Sequence, residues 1–446
     1  MHRRKRISGR KNEQGVIITL VAVFMLFVVG AMAALSIDLA TLYTARSEAQ
    51  LAADGAALAG ARALANSGAT SDPNAVSDGL MSNAQTLARA VATQVAGQNT
   101  VGGTVPTSIN VSFGGNPPTN PTVTVRVQNS NLPTFFARIW GTTQFTAGAS
   151  ATAEAYSPSG ANALTGTAIP VAPICVKPWL LPNMSPNPGP ANPQIFDPAS
   201  GAILDTNLLG VEWPTLPSLR TICSPANGGT ADCLPASANI PVAGRYYPGT
   251  ADPATGSFPA PSATSVVCTG CAGFNPYQLS IAGCVQTPIS CYSSAPPSPV
   301  QIINVDTTSD PTRDAETRPA VDGLTHATAN NWGDSVDPFT PNAPFQFVAG
   351  LGNPIPGLAG NDMMVSDSLV TVPVIDTSTW PPTTYPQVQI IGFLQLFLNP
   401  NGDPGPGSGH IHAKVINLVG CGTSASGQPI LGNGASPVVV RLISPP

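Results

Sequence analysis

The feature that most constrains this chain is an uninterrupted apolar run near its N-terminus. From Val16 to Ile37 no side chain is charged, and only Thr19 and Ser36 are polar. As a helix rising 1.5 Å per residue, the run would span about 33 Å, enough to cross the hydrocarbon core of a bilayer. We therefore expect residues 16–37 to form one transmembrane helix. The alternative is a cleaved secretory signal, with Ala-Met-Ala at 31–33 as the small-residue cleavage site.

The charges around this run predict its orientation. Six of the 18 basic residues fall within the first eleven positions, whereas all 23 acidic residues come later. Because basic flanks stay on the cytoplasmic side, residues 1–15 are predicted to be a cytoplasmic tail and everything after residue 37 to lie outside the cytoplasm. The exported part is acidic overall and lacks the basic patches that bind phosphates, so we predict no nucleic-acid partner.

The helix is predicted to continue beyond the membrane through residues 38–65, a stretch rich in alanine and without proline. At 100° per residue, one stripe of this helix carries only small side chains. Its members are Ala49, Ala53, Ala56, Gly60 and Ala63. Small side chains let another backbone approach closely, so this stripe predicts an interface with a partner helix. The alternative is a helix that simply covers its own domain.

A small α+β unit is predicted to follow, ending near Ser157. Ser71-Asp72-Pro73 has the N-cap and first-turn proline of a second helix, and apolar residues at helical spacing continue to Val95. The period then changes from that of a helix to the two-residue alternation of strands. The elements predicted here are strands at 109–113 and 123–127, a short helix at 132–140 and a strand at 145–156.

Residues 158–446 are predicted to form a β-rich, loop-rich domain held by disulfide bonds. All eight cysteines lie in this exported part, where disulfides persist, and an even number favours complete pairing without revealing which cysteines pair. The disulfide candidates are Cys175, Cys223, Cys233, Cys268, Cys271, Cys284, Cys291 and Cys421. The alternative for four of them, from Cys268 to Cys291, is a four-thiolate zinc site.

Four C-terminal segments rich in β-branched and aliphatic residues are predicted to be strands of one sheet. They are residues 369–375, 388–398, 411–419 and 438–443. The predicted fold class is α+β: a transmembrane helix that continues into an Ala-rich helix, a small α+β unit, and a disulfide-bonded β domain. The predicted division is therefore 1–15, 16–37, 38–157 and 158–446.

Several stretches of the chain resemble the TadG-like proteins of Flp (tight adherence) pilus assembly. They are Glu13-Gln-Gly15, Ile37-Asp38, Tyr43 and residues 48–61, continued by 135–141 and 149–154. The resemblance implies a single-pass protein of the bacterial inner membrane that serves a Tad/Flp-type pilus or secretion system as a structural or assembly component. Other pilus-assembly proteins would be its partners. A different hypothesis is a membrane-anchored surface binding or adhesive module built on the Cys- and Pro-rich region.

Three patterns in the exported region are candidate sites of chemistry. Gly333-Asp-Ser335-Val resembles the nucleophile block of GDSL hydrolases, but no Asp-x-x-His follows it. His410-Ile-His412 near Asp403 has the spacing of two metal ligands on one strand face. The charge cluster at 310–322 mixes carboxylates with arginines, as a solvated loop with surface ion pairs does. Each is better explained structurally, so we predict no enzyme activity, no cofactor, and no metal site.

Overall fold

The computed structural model describes nearly all of the N-terminal third of the chain and much of the remainder. The described residues are 11–157, 171–185, 193–209, 221–222, 246–250, 258, 271–290, 302–305, 312–328, 330–337, 342–378, 387–403, 411–421, 430–431 and 436–443.

The described part contains α-helices and several β-sheets, which confirms the predicted α+β class. The helices are α1 (Lys11–Asn66), α2 (Leu80–Gln98), α3 (Pro276–Ala282) and α4 (Thr312–Thr325), with 3-10 helices at Ala137–Trp140 and Thr206–Leu208. The strands are β1 (Ser108–Asn116), β2 (Asn120–Pro133), β3 (Gln144–Tyr156), β4 (Val171–Ala172), β5 (Trp179–Pro182), β6 (Thr221–Ile222), β7 (Tyr247–Thr250), β8 (Ile302–Val305), β9 (Ser335–Val336), β10 (Phe347–Val348), β11 (Asp362–Met363), β12 (Leu369–Ile375), β13 (Gln387–Leu398), β14 (Ile411–Gly420), β15 (Ile430–Leu431) and β16 (Val439–Ile443).

Helix α1 runs without a break for 56 residues. Its apolar run and its alanine-rich stretch are therefore one helix, as the absence of proline predicts. By length and composition this helix can cross a membrane, and the large side chains of the apolar run are exposed, with Leu26 at 76%. A row of exposed Leu, Val, Ile and Phe side chains is stable only against an apolar surrounding such as lipid.

Helix α2 begins nine residues later than the proposed N-cap, so the predicted start at Ser71 is wrong. The hydroxyl of Ser71 donates to Oδ1 of Asn417 at 2.9 Å and accepts from the backbone N–H of Leu418 at 3.1 Å. A serine engaged with a distant strand cannot cap a local helix. Residues 71–79 form turns instead, and α2 starts at Leu80, directly after Gly79 in the left-handed region at φ +83°.

The four C-terminal strands do not form one sheet, which corrects that prediction. A four-stranded sheet has the order β1-β2-β3-β16, and β16 pairs antiparallel with β3 from Val439 opposite Tyr156 onwards. The buried carboxylate of Glu154 on β3 helps to fix this pairing: it forms an ion pair with Arg441 of β16 and accepts from Nδ2 of Asn120 at 3.0 Å. An ion pair across a strand pair adds to the backbone ladder.

The other three predicted C-terminal strands lie in a seven-stranded sheet of order β12-β5-β7-β8-β13-β14-β6. Strand β13 also pairs with β12, so β12, β5, β7, β8 and β13 follow one another in a closed ring of pairings. All seven residues of β12 are buried. This accounts for its continuous apolar sequence, because a strand covered on both faces needs no polar alternation. The core beside it includes four large buried aromatic side chains: Trp179, Phe196, Tyr246 and Tyr277.

The chain packs into two compact units that interleave along the sequence. The first comprises 1–56, 93–111 and 125–151, and the second comprises 57–92, 112–124 and 152–446. The division into 38–157 and 158–446 stays a prediction.

Candidate functional site: the membrane-proximal part of helix α1

Asp38 is the first charged residue after the apolar run, and its carboxylate accepts hydrogen bonds from backbone N–H groups. Its side chain is only 1% exposed, and its carboxylate accepts the N–H groups of Phe135 at 2.9 Å, Phe136 at 3.0 Å and Ala137 at 2.7 Å. These groups precede and open the 3-10 helix Ala137–Trp140. The first N–H groups of a helix have no partner within it and attract negative charge, so Asp38 caps this helix from a distant part of the chain.

Glu48, almost three turns further along α1, makes a second bond of the same kind. Its Oε2 accepts the N–H of Gly102 at 2.6 Å. Gly102 has φ +63°, and a Cβ at this position would collide with the side chain of Leu132. The position therefore requires glycine. Two carboxylates of α1 thus hold two separate backbone segments by charge-assisted hydrogen bonds.

A pocket of about 400 Å³ lies beside these two bonds in the same unit. Its lining is mostly apolar and includes Ala45, Leu132, Phe135 and Phe145, with Glu48 as its one ionisable residue. Phe135 is 62% exposed although it directly adjoins the Asp38 contact. The arrangement can hold apolar groups, but it offers no acid–base pair and no set of metal ligands.

The predicted partner-helix stripe of α1 is buried by the chain itself. Ala49, Ala53, Ala56 and Ala63 are each at most 1% exposed, and Gly60 is buried as well. A Cβ placed on Gly60 would lie 3.3 Å from Cβ of Ala92 and 3.4 Å from the carbonyl oxygen of Ala88, both on α2. At this point the close helix neighbour is α2 of the same chain. Docking of a separate partner helix stays a prediction.

The apolar run, both carboxylates and the whole stripe thus lie in one stretch of α1. Residues 15–63 match the family model described as putative Flp pilus-assembly TadE/G-like. The match confirms the resemblance predicted for this part of the chain. No curated protein and no solved structure matches the chain.

Asp38 also connects the TadE/G-like segment to the later stretch that carried the resemblance. Ile37-Asp38 and residues 135–141 are 97 or more positions apart in sequence, yet the three hydrogen bonds of Asp38 bring them together. Both stretches carry the family resemblance, but the sequence does not show that they are in contact. The available signal was the position of Asp38: a carboxylate immediately after an apolar span needs strong hydrogen-bond donors if it is buried.

The prediction that this region contains disulfide bonds is confirmed by the pair Cys175–Cys284, whereas the pairing of all eight cysteines stays a prediction. Cys271 and Cys421 are also disulfide-bonded, and Cys223, Cys233, Cys268 and Cys291 lie outside the described residues. Because the sulfur of Cys284 is bonded to Cys175, it is not a thiolate that could bind zinc. The alternative of a four-thiolate zinc site is therefore wrong.

The GDSL-like block lies beside a histidine that sequence reasoning did not single out. His326 places Nδ1 3.3 Å from Oδ2 of Asp334 and Nε2 3.2 Å from Oδ2 of Asp367. The second approach is close enough for charge attraction but is not in hydrogen-bond geometry. Burial alone would lower the pKa of His326, but hydrogen bonding and the two carboxylate charges outweigh it and raise the pKa to about 9. Both ring nitrogens face carboxylates, so neither is placed to take a proton from Ser335.

The other two patterns are the charge cluster at 310–322 and the histidine pair at 410 and 412, and the structure describes each of them in part. The charge cluster was expected to be a loop, but residues 312–325 form α4, where Arg318 and Asp322 make an i, i+4 ion pair at 2.7 Å. Helical spacing explains this pairing. His412 lies in β14, and His410 lies outside the described residues.

Proposed function

We propose that this protein is a structural or assembly component of a Tad/Flp-type pilus or secretion system, anchored in the bacterial inner membrane by one helix with its N-terminus in the cytoplasm. The main support for the proposal is that the family match, the apolar run and the two carboxylates all fall in the same segment of helix α1. The TadE/G-like match at 15–63 covers both the exposed apolar run and the carboxylates that tie α1 to the exported chain. A helix built in this way holds a folded unit close to the membrane surface.

The family match suggests a structural, non-enzymatic role, and other pilus-assembly proteins are the proposed partners. Deletion of the gene should abolish pilus assembly, and the wild-type chain should restore it. Pili that assemble normally while surface attachment is lost would instead favour the adhesive alternative. That outcome would contradict the proposed assembly role.

Orientation is tested separately with two reporters fused after residue 160. We expect a reporter that works only outside the cytoplasm to be active, and one that works only inside to be silent, because the basic tail keeps the N-terminus in the cytoplasm. The reverse pattern would overturn both the orientation and the proposed location of the partners.

We propose that a partner helix contacts the small-residue stripe of α1. Because the stripe is buried in the structure, this contact requires a rearrangement. A partner helix can reach Ala53 only if the covering part of the chain moves aside, whereas Leu51 on the same turn is 68% exposed. Ala53→Cys and Leu51→Cys form a matched pair for thiol cross-linking in cells that assemble pili. Cross-links from position 53 would support the stripe. Cross-links from position 51 alone would refute it and assign the contact to the exposed face.

A further inference from the structure

A second pocket, of about 190 Å³, lies wholly within the second unit. Its wall includes Arg62 from the C-terminal part of α1, Lys177, Gln395 of β13, Asp367 and the disulfide-bonded Cys284. The disulfide joins two parts of this wall and so limits their movement. The volume is below the roughly 300–1,000 Å³ of pockets for drug-sized ligands, which restricts it to a small molecule or ion.

Arg62 brings an uncompensated positive charge to this pocket. Within the described residues its guanidinium has no hydrogen-bond or ion-pair partner, although the side chain is half-buried. Arginine stays protonated in proteins and carries five N–H donors in a planar fork. A partly buried charge without a partner is unfavourable, so this position favours an anion that supplies the missing acceptors.

Lys177 supplies a second cation to the same wall. Its side chain is 5% exposed, and Nζ donates to the carbonyl oxygens of Ile281 at 2.5 Å and Gly283 at 2.8 Å. An ammonium has three N–H groups, so these two bonds leave one for a further acceptor.

Gln395 lines the pocket and is fully buried. Its Oε1 accepts from Nδ2 of Asn417 at 2.6 Å, but its Nε2 has no partner in the described part of the chain. Buried polar groups are normally hydrogen-bonded, and one that lacks a partner requires an explanation. A bound acceptor in the pocket is such an explanation.

The one carboxylate of the wall, Asp367, attracts Lys177 but cannot balance both cations of the wall. Asp367 lies 3.2 Å from the imidazole of His326, and His326 also pairs with Asp334. One imidazolium balances only one of these two carboxylates, so Asp367 keeps negative charge that offsets part of the charge of Lys177 and leaves Arg62 as the uncompensated cation among the described residues of the wall. The pocket therefore offers Arg62, Lys177 and Gln395 as unsatisfied donors.

We propose that this pocket binds a small oxyanion, with the Arg62 guanidinium as its main contact and Lys177 and Gln395 as further donors. A carboxylate and a phosphate share the required chemistry, because each accepts two parallel N–H bonds from a guanidinium. The proposal is independent of any role in a pilus.

The test uses the full-length chain in detergent micelles at pH 7 and constant ionic strength. The thermal unfolding midpoint is measured while chloride is replaced by inorganic phosphate in one series and by acetate in another. A ligand that binds only the folded state raises the midpoint in a saturable manner. We expect saturation in at least one series, and the responding series identifies a tetrahedral anion or a carboxylate. A midpoint that does not depend on either anion would overturn the proposal.

Three variants assign the effect to the pocket. Arg62→Met keeps the length of the side chain but removes its charge, and it should weaken apparent binding by about tenfold or more. Arg62→Lys keeps the charge and should bind within about tenfold of wild type. Arg46→Met, at an exposed site on the same helix, should bind as wild type does.

Folding is checked in chloride alone. Because Arg62 has no partner to lose among the described residues, Arg62→Met should unfold at the wild-type temperature or higher. If Arg62→Met responds to the oxyanion as wild type does, or if Arg46→Met weakens binding equally, the pocket is not the site.

Discussion

Two glycines of helix α1 provide a matched test of how tightly the buried stripe is packed. A Cβ at Gly60 would lie 3.0 Å from Cγ1 of Val123, 3.3 Å from Cβ of Ala92 and 3.4 Å from the carbonyl oxygen of Ala88. A Cβ at Gly55 would meet only Cγ1 of Val95, at 4.0 Å. Gly60 is therefore in close contact, whereas Gly55 has room for a methyl group.

The magnitudes follow from two opposing effects. Replacing a helical glycine by alanine stabilises the helix by about 1 kcal/mol. Extra volume in a packed contact costs about 1–3 kcal/mol, and here the neighbours include a backbone oxygen and an alanine, neither of which can change rotamer. We expect Gly55→Ala to stabilise the protein by about 1 kcal/mol. We expect Gly60→Ala to range from neutral to about 2 kcal/mol destabilising.

The assay is the thermal unfolding midpoint of the full chain in detergent, followed by circular dichroism. A change of 1 kcal/mol corresponds to about 2–4 °C for a unit of 150–250 residues. In a Val123→Ala background the penalty at Gly60 should shrink, because the nearest atom has been removed. If Gly60→Ala raises the midpoint as much as Gly55→Ala, the stripe is loosely packed and the reasoning is refuted.

Three further predictions concern separate contacts. Replacing Cys175 and Cys284 together by serine opens a loop whose ends are 109 residues apart, and it should lower the free energy of unfolding in urea by about 2–5 kcal/mol; an unchanged urea midpoint would contradict this. The pKa of His326 is raised to about 9 in the folded state, above about 6.5 in the unfolded chain. Its stabilising contribution should therefore be complete below about pH 6.5 and lost as the pH rises through about 9. The difference in midpoint between wild type and His326→Gln measures this loss, and parallel pH profiles would exclude it. Asp38→Ala should speed hydrogen exchange at the three backbone N–H groups that donate to Asp38. Asp54→Ala on the same helix is the control and should leave their exchange unchanged. Equal exchange rates in the two variants would contradict the capping role of Asp38.

Much of the local structure could be predicted because it depends on near neighbours in sequence. The apolar run and the absence of proline gave α1, and two-residue alternation located β1 to within three residues of its observed bounds and the first part of β2, which continues beyond the predicted end to Pro133. The start of α2 could not be predicted in the same way. Ser71 has the local features of an N-cap, but its hydroxyl is taken by Asn417, 346 positions away.

The candidate site was predicted in part. The stripe of small residues follows from helical spacing alone, and so does its ability to accept a close neighbour. Helical spacing alone could not predict that Ala88 and Ala92 of the same chain lie next to Gly60. The unsatisfied donors around Arg62 were also out of reach, because they come from parts of the sequence as far apart as Arg62, Lys177 and Gln395.

By itself, the sequence determined that the apolar run forms a helix long enough for a bilayer, that this helix continues unbroken through the alanine-rich stretch, and that cysteines later in the chain can pair. These properties depend on composition and periodicity, which short-range backbone geometry converts directly into structure. Only the tertiary structure decided that β16 pairs with β3 rather than joining its neighbours, that Asp38 caps a helix about a hundred residues away, and that the stripe is buried. Each of these depends on which distant groups satisfy a buried charge or fill a gap, because a carboxylate or a small side chain requires a partner without specifying where in the sequence it lies.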